Sequence, residues 1–182
     1  MCKENCSRYD EIACVYDSFF CDKESLEENE KVARMLSEVK GNVYDIGCGT
    51  GLLTEIISIS PNQYYGIDPS YAMLDKFMEK HDDYRHRVIQ SVFENDSVDI
   101  NKFDWVISLF GSISYVEPKS LNRIAESQAH CFLMFYKPEY FPVTYTLAGV
   151  DIPHYKYEKK ELENIFNGAS VNEFNNYIIV SK

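Results

Sequence analysis

Residues 43–51 read Val-Tyr-Asp-Ile-Gly-Cys-Gly-Thr-Gly: an apolar run carrying one acid, then three glycines in five positions. Apolar residues followed at once by glycines describe a buried strand that turns sharply and leaves its backbone open to a ligand. The spacing is GxGxG. In the GxGxxG fingerprint of nicotinamide-dinucleotide sites the third glycine would fall at Leu52 rather than Gly51. The acid points the same way, because Asp45 at a strand end would repel a pyrophosphate and attract an ammonium group.

Outward from this stretch, strand-like and helix-like segments alternate, the pattern of a sheet built from βαβ units. The composition predicts strands at 43–46, 64–67, 87–91, 105–110, 131–136 and 177–180, and helices at 26–39, 52–58, 72–80, 119–127 and 159–166. Pro69 and Pro118 stand where a strand has ended and a helix begins. No repeat, low-complexity tract or Gly/Ser/Pro-rich linker interrupts the pattern, so the 182 residues read as one α/β domain: 1–40 as leading helices and 41–182 as the core. Within that core, residues 137–157 hold three prolines and several tyrosines behind a strand end, and are expected to form a substrate cap.

At the tip of the second strand, in Tyr64-Tyr65-Gly66-Ile67-Asp68-Pro69-Ser70, Asp68 is placed to accept hydrogen bonds from both hydroxyls of a ribose. As a strand-tip residue facing a cleft it is expected to make few core contacts. S-adenosylmethionine supplies the ligand chemistry these acids ask for, an ammonium group and a ribose without phosphate. Strand, GxGxG, helix, strand and terminal Asp together resemble the class I S-adenosylmethionine-dependent methyltransferases of small-molecule type, and the resemblance spans nearly the whole chain.

That resemblance implies a Rossmann-like three-layer α/β sandwich with a mostly parallel seven-stranded sheet, order 3-2-1-4-5-7-6 and an antiparallel last strand. It places Asp45, Gly47, Cys48, Gly49 and Gly51 along the methionine half of the ligand, Cys48 as a small space-filler, Asp68 on the ribose, and Pro69 and Met73 beside the adenosine. Ser91, Val92 and Phe93 align with the turn that meets adenine, with Ser91 where the family often has an Asp. Ser108 and Leu109, after the fourth strand, would meet the methionine part. The leading stretch Tyr9-Asp10-Glu11-Ile12-Ala13-Cys14-Val15-Tyr16-Asp17 resembles the family's YDxxAxxYD opening, which puts Tyr9 and Tyr16 over the cofactor as a lid. Seven apart, the two tyrosines share a helix face, where packing as core is the alternative.

Methyl transfer from a sulfonium needs alignment more than a base. For an acceptor that must lose a proton, Tyr115 and His154 are the candidate catalytic residues, with His130 behind them. The sequence carries 18 Lys and Arg against 29 Asp and Glu, a formal charge of −11, which disfavours a nucleic-acid partner and suits a small-molecule acceptor. The six cysteines form no CxxC pair with a nearby His, so no metal is expected and reduced thiols are. Residues 1–10 lack the order of a secretory signal and no apolar run spans a membrane, which together predict a cytoplasmic protein. Two readings from other classes remain: a catalytically silent module of the same fold that binds a protein partner, and an NAD(P) oxidoreductase, which the Gly51 spacing and Asp45 argue against. The sequence leaves the oligomeric state open.

Overall fold

The computed structural model describes residues 8–140 and 153–182. Most of the segment expected to cap the site, residues 141–152, therefore lies outside the described residues. Seven strands are present: β1 Val43–Ile46, β2 Tyr64–Asp68, β3 Val88–Gln90, β4 Trp105–Ser108, β5 His130–Tyr136, β6 Ser170–Phe174 and β7 Tyr177–Ser181. They form one sheet in the order β3-β2-β1-β4-β5-β7-β6, parallel except where β7 pairs antiparallel with both β5 and β6. This is the order and the antiparallel ending that the resemblance implies. The helices are α1 Lys23–Met35, α2 Leu52–Ile56, α3 Tyr71–Lys80, α4 Pro118–Ala125 and α5 Lys159–Ile165.

Strand period and burial explain the layering. Along β5, His-Cys-Phe-Leu-Met-Phe-Tyr is buried from its second residue on, because β4 and β7 flank it and helices cover both faces. Alternate side chains enter opposite cores. Tyr44, Val106, Leu133 and Phe135 pack with Leu121 and Ile124 of α4 and Leu162 of α5. Val43, Ile107, Phe132 and Met134 pack on the other face with Val32 of α1, Leu53 of α2 and Leu74 and Phe77 of α3. Asp45 shares the face of Val43, so the pleat that seats the strand also sends a carboxylate into the second core.

Helix starts follow local chemistry. Asp22 accepts the Ser25 N–H at 3.0 Å ahead of α1, and Ser70 accepts the Met73 N–H at 3.2 Å ahead of α3. Pro118 occupies the first turn of α4, where its missing N–H costs nothing.

Between β3 and β4 the chain makes no long element, and Arg123 of α4 holds it in place. Its guanidinium donates to the carbonyls of Phe93 at 2.7 Å and Asp96 at 2.8 Å, and lies 4.5 Å from the Phe93 ring centroid. Hydrogen bonds from a charged donor are worth about 1.5–3 kcal/mol each. Arg123→Ala is expected to lower unfolding free energy by about 2–4 kcal/mol in urea titration, with Arg123→Lys recovering part of it. A loss within experimental error would remove Arg123 as the anchor of this loop.

Candidate functional site

The carboxyl ends of β1 and β2 are joined across the sheet by the glycine loop. Gly47 and Cys48 donate their N–H groups to the Ile67 carbonyl at 2.8 and 3.0 Å, and Gly49 donates to Asp68 Oδ2 at 3.0 Å. Gly47 has φ of +75°, and a Cβ there would run into the Ser112 side chain. At Gly49 a Cβ would meet only the Met73 methyl, at 3.6 Å, so the loop keeps one side open toward the cleft.

Asp68 is not the idle strand-tip residue that the sequence suggests. Its Oδ2 accepts from Gly49 and its Oδ1 from Ser70 N at 2.8 Å, so it ties the glycine loop to the start of α3. Lone pairs remain on both oxygens for a ligand. Burial raises its pKa to about 6, against the lowering effect of those two N–H donors. Asp45 is 2% exposed and accepts from Tyr64 Oη at 2.6 Å. Burial raises its pKa to about 7 even though the tyrosine bond opposes the shift.

Around Asp68 lies a cleft with a volume of about 100 Å³. Of the residues expected to hold a ligand, Tyr9, Tyr16, Gly47, Gly49, Asp68, Pro69 and Met73 line it, together with Ser91, Val92, Phe93 and Tyr115. Among the described lining residues there is no Lys or Arg, whereas Asp68 and Glu94 each bring a carboxylate. A larger chamber adjoins it and shares Tyr9, Tyr16, Gly47, Gly49, Phe110, Ser112 and Tyr136; Asp45, Cys48 and Leu109 face this second space. Ser108 and Gly51 line neither. Ser108 is fully buried and donates to the Ile46 carbonyl at 2.7 Å, bracing β1 against β4, and Gly51 opens α2 at φ +101°. Burial pushes the Cys48 thiol well above its ordinary pKa, which keeps it protonated and unreactive.

Over the cleft runs the N-terminal segment. Residues 8–12 are helical and Tyr16–Phe20 forms a 3-10 turn, so Tyr9 and Tyr16 do not share one continuous helix. Their rings still meet edge-on at 6.1 Å, and Tyr9 Oη lies 3.2 Å from Tyr115 Oη. The segment is pinned by its two aspartates. Asp10 accepts from Ser70 Oγ at 2.5 Å and from Ala72 N at 3.1 Å; Asp17 accepts from Thr50 Oγ1 at 2.6 Å and from Lys80 Nζ at 3.0 Å. His154 packs against the Tyr115 and Tyr136 rings, at 6.0 and 5.3 Å, and lines neither space. His130 begins β5 at the opposite end of the sheet and faces Trp105.

Sequence reasoning singled out neither Asp10 and Asp17 nor Phe110, Ser112 and Tyr136. The aspartates repeat at the same seven-residue interval as the tyrosines, which was a visible signal. Phe110 gave none: it takes φ of +48° just beyond β4, a conformation rare for an aromatic residue and set by the neighbouring Gly111 turn.

The strand order and antiparallel ending are those that the resemblance to class I S-adenosylmethionine-dependent methyltransferases implies, and a cleft lies at the carboxyl ends of β1 and β2. Residues 43–131 match the family model of a methyltransferase domain. Among solved structures, a DhpI–SAH complex superposes with a TM-score of 0.72 at 16% identity, covering 100% of this chain and 95% of that one. DesVI of Streptomyces venezuelae gives 0.64 at 17%, covering 93% and 97%. The magnesium protoporphyrin IX methyltransferase of Synechocystis PCC 6803 with bound SAM gives 0.56 at 19%, covering 85% and 77%. At these identities the likeness carries the fold. No curated protein matches the chain in sequence. No helix among the described residues is long and apolar enough to cross a membrane.

The two buried acids fix a sign for pH dependence. Both have folded pKa values above the ordinary carboxylate value, so between about pH 4 and 7 the folded protein holds protons that the unfolded chain has lost. Their stabilising contribution is therefore full below about pH 4 and is lost progressively as pH rises from about 4 through the folded values near 6 and 7. Asp45→Asn should melt close to the parent at pH 4 and above it at pH 8, by about 2–4 kcal/mol at most. A variant equally shifted at both values would show that the Asp45 charge carries no folding penalty.

Proposed function

We propose that the protein binds S-adenosylmethionine in the cleft around Asp68 and transfers its methyl group to an oxygen or nitrogen of a small-molecule acceptor. The observation that carries this reading is the open-sided glycine loop held against Asp68, in a cleft whose described lining offers carboxylates and aromatic rings and no cation for a phosphate. The same lining speaks against a dinucleotide.

When bound, the ligand supplies a sulfonium methyl: the acceptor's lone pair forms the new bond to carbon, the sulfur keeps the broken bond's electron pair and leaves as S-adenosylhomocysteine, and the acceptor gives up a proton. The chain's part is positional. Asp68 would take the ribose hydroxyls with its remaining lone pairs, and Ser91 to Phe93 would flank the base. Glycine-loop backbone and Asp45 would face the methionine half. Gly51, Ser108 and Cys48 serve here as support for the loop rather than as ligand contacts. Tyr9 and Tyr16 would exclude water from above, held by Asp10 and Asp17. Tyr115 is the candidate proton acceptor that lines the cleft, and His154 stands behind it against the Tyr115 ring. The formal charge of −11 supports a small-molecule acceptor over nucleic acid, and the chain is read as one functional unit.

S-adenosylhomocysteine at a hundred times its dissociation constant should stabilise the protein by about 2.7 kcal/mol in a thermal-shift series, while NAD leaves it unmoved. A shift with NAD alone would overturn the reading. Asp68→Asn should weaken S-adenosylhomocysteine at least about tenfold by calorimetry, and should also lower the melting point of the unliganded protein, because the carboxylate already holds Gly49 and Ser70. Unchanged affinity would leave Asp68 a purely structural residue.

A further inference from the structure

The chamber beyond the cofactor cleft has its own chemistry. Phe110, Tyr136, Tyr140 and Tyr177 line it, and the three tyrosine rings lie 5.5–6.3 Å from one another, Tyr136 stacked on Tyr177 at 5.8 Å. Seven carboxylates and two lysines line the same space among the described residues, and one of the lysines, Lys80, is held by Asp17 and Glu55. Glu28 of α1 sits at the tyrosine end. Its charge helps raise the pKa of both Tyr140 and Tyr177, after burial, and its Oε1 accepts from the Asn175 side-chain amide at 2.6 Å. That partner is neutral, so the contact orients the carboxylate without cancelling its charge.

Backbone conformation marks the same place. Phe110 and Asn175 are the two non-glycine residues with positive φ among the described residues, both at +48°, and both line this chamber. Asn175 takes this φ in the tight turn between β6 and β7, where asparagine tolerates the left-handed region, and Phe110 takes it beside the Gly111 turn. Here one presents an aromatic ring and the other fixes the carboxylate beside the tyrosines.

We propose that this chamber receives the methyl acceptor and selects one bearing a protonated or quaternary amine, seated against Tyr140 and Tyr177 with Glu28 as its counter-charge. Rings with electron-rich faces and an uncancelled carboxylate attract a cation and give a neutral molecule of the same shape nothing comparable. This rests on the assignment of the neighbouring cleft to S-adenosylmethionine, and the experiment separates the two. The full chain is first titrated with S-adenosylhomocysteine. The complex is then titrated by NMR with choline and with its neutral isostere 3,3-dimethylbutan-1-ol. Choline should bind at least about fivefold tighter. Glu28→Gln, which keeps an oxygen for Asn175, should cost choline roughly three- to tenfold and leave the alcohol unchanged. Tyr140→Leu should narrow the same preference, with melting curves confirming that both variants are folded. Equal binding of the two probes, no binding of either, or equal losses in Glu28→Gln would overturn the cation site and leave the cofactor reading standing. Failure of S-adenosylhomocysteine to bind would overturn both.

Discussion

One carbonyl organises the ligand end of this sheet. Ile67 ends the apolar part of β2, and its oxygen receives two consecutive amides, from Gly47 and Cys48. Backbone groups at a strand end must find partners, and sharing one acceptor forces the chain after β1 to fold across β2 instead of running on. That fold brings the next amide, Gly49, to Asp68. The glycine loop, the acid and the start of α3 are therefore one hydrogen-bonded unit. The Ser112 side chain fills the space a Cβ would need at Gly47 and donates to the Gly47 carbonyl at 3.3 Å, which ties the unit to the turn after β4 as well.

The unit is costly in charge. Asp45 and Asp68 both sit where burial favours the neutral acid, with pKa values raised to about 7 and about 6. A core built for stability alone would not place two carboxylates there. Their persistence makes sense if a ligand with an ammonium and ribose hydroxyls restores what burial removes. The N-terminal segment is fastened to the same unit by polar contacts: Asp10 and Asp17 hold it to Ser70 and Thr50, residues that belong to the same loop and helix start. Whatever loosens the glycine loop thus also loosens its cover.

The parts of the structure readable in the sequence are those in which neighbours in sequence carry the cause. Strands β1, β4, β5 and β7 are dense apolar runs because both of their faces are buried, and the glycines, Asp68 and Pro118 announce their turns locally. Strand order and the antiparallel ending came from resemblance, since pairing between β5 and β7 joins segments some 45 residues apart and leaves no local trace. Ser108 looked like a ligand contact because of its place after β4, yet its side chain turns inward to the Ile46 carbonyl. Arg123 reads as an ordinary surface cation of α4. Its partners, the Phe93 and Asp96 carbonyls, become visible only once the helix is laid against the loop.

The two spaces are not independent. Tyr9, Tyr16, Phe110 and Tyr136 contribute to the walls of both, and Gly111, which sets the Phe110 turn, has no room for a side chain because the Tyr136 ring fills it. Phe110 is thus held by backbone geometry at the boundary where a sulfonium methyl would have to meet an acceptor. In-line transfer tolerates little misplacement of either partner. A shared wall of fixed rings would serve that demand, because residues that seated one partner would also limit where the other could lie.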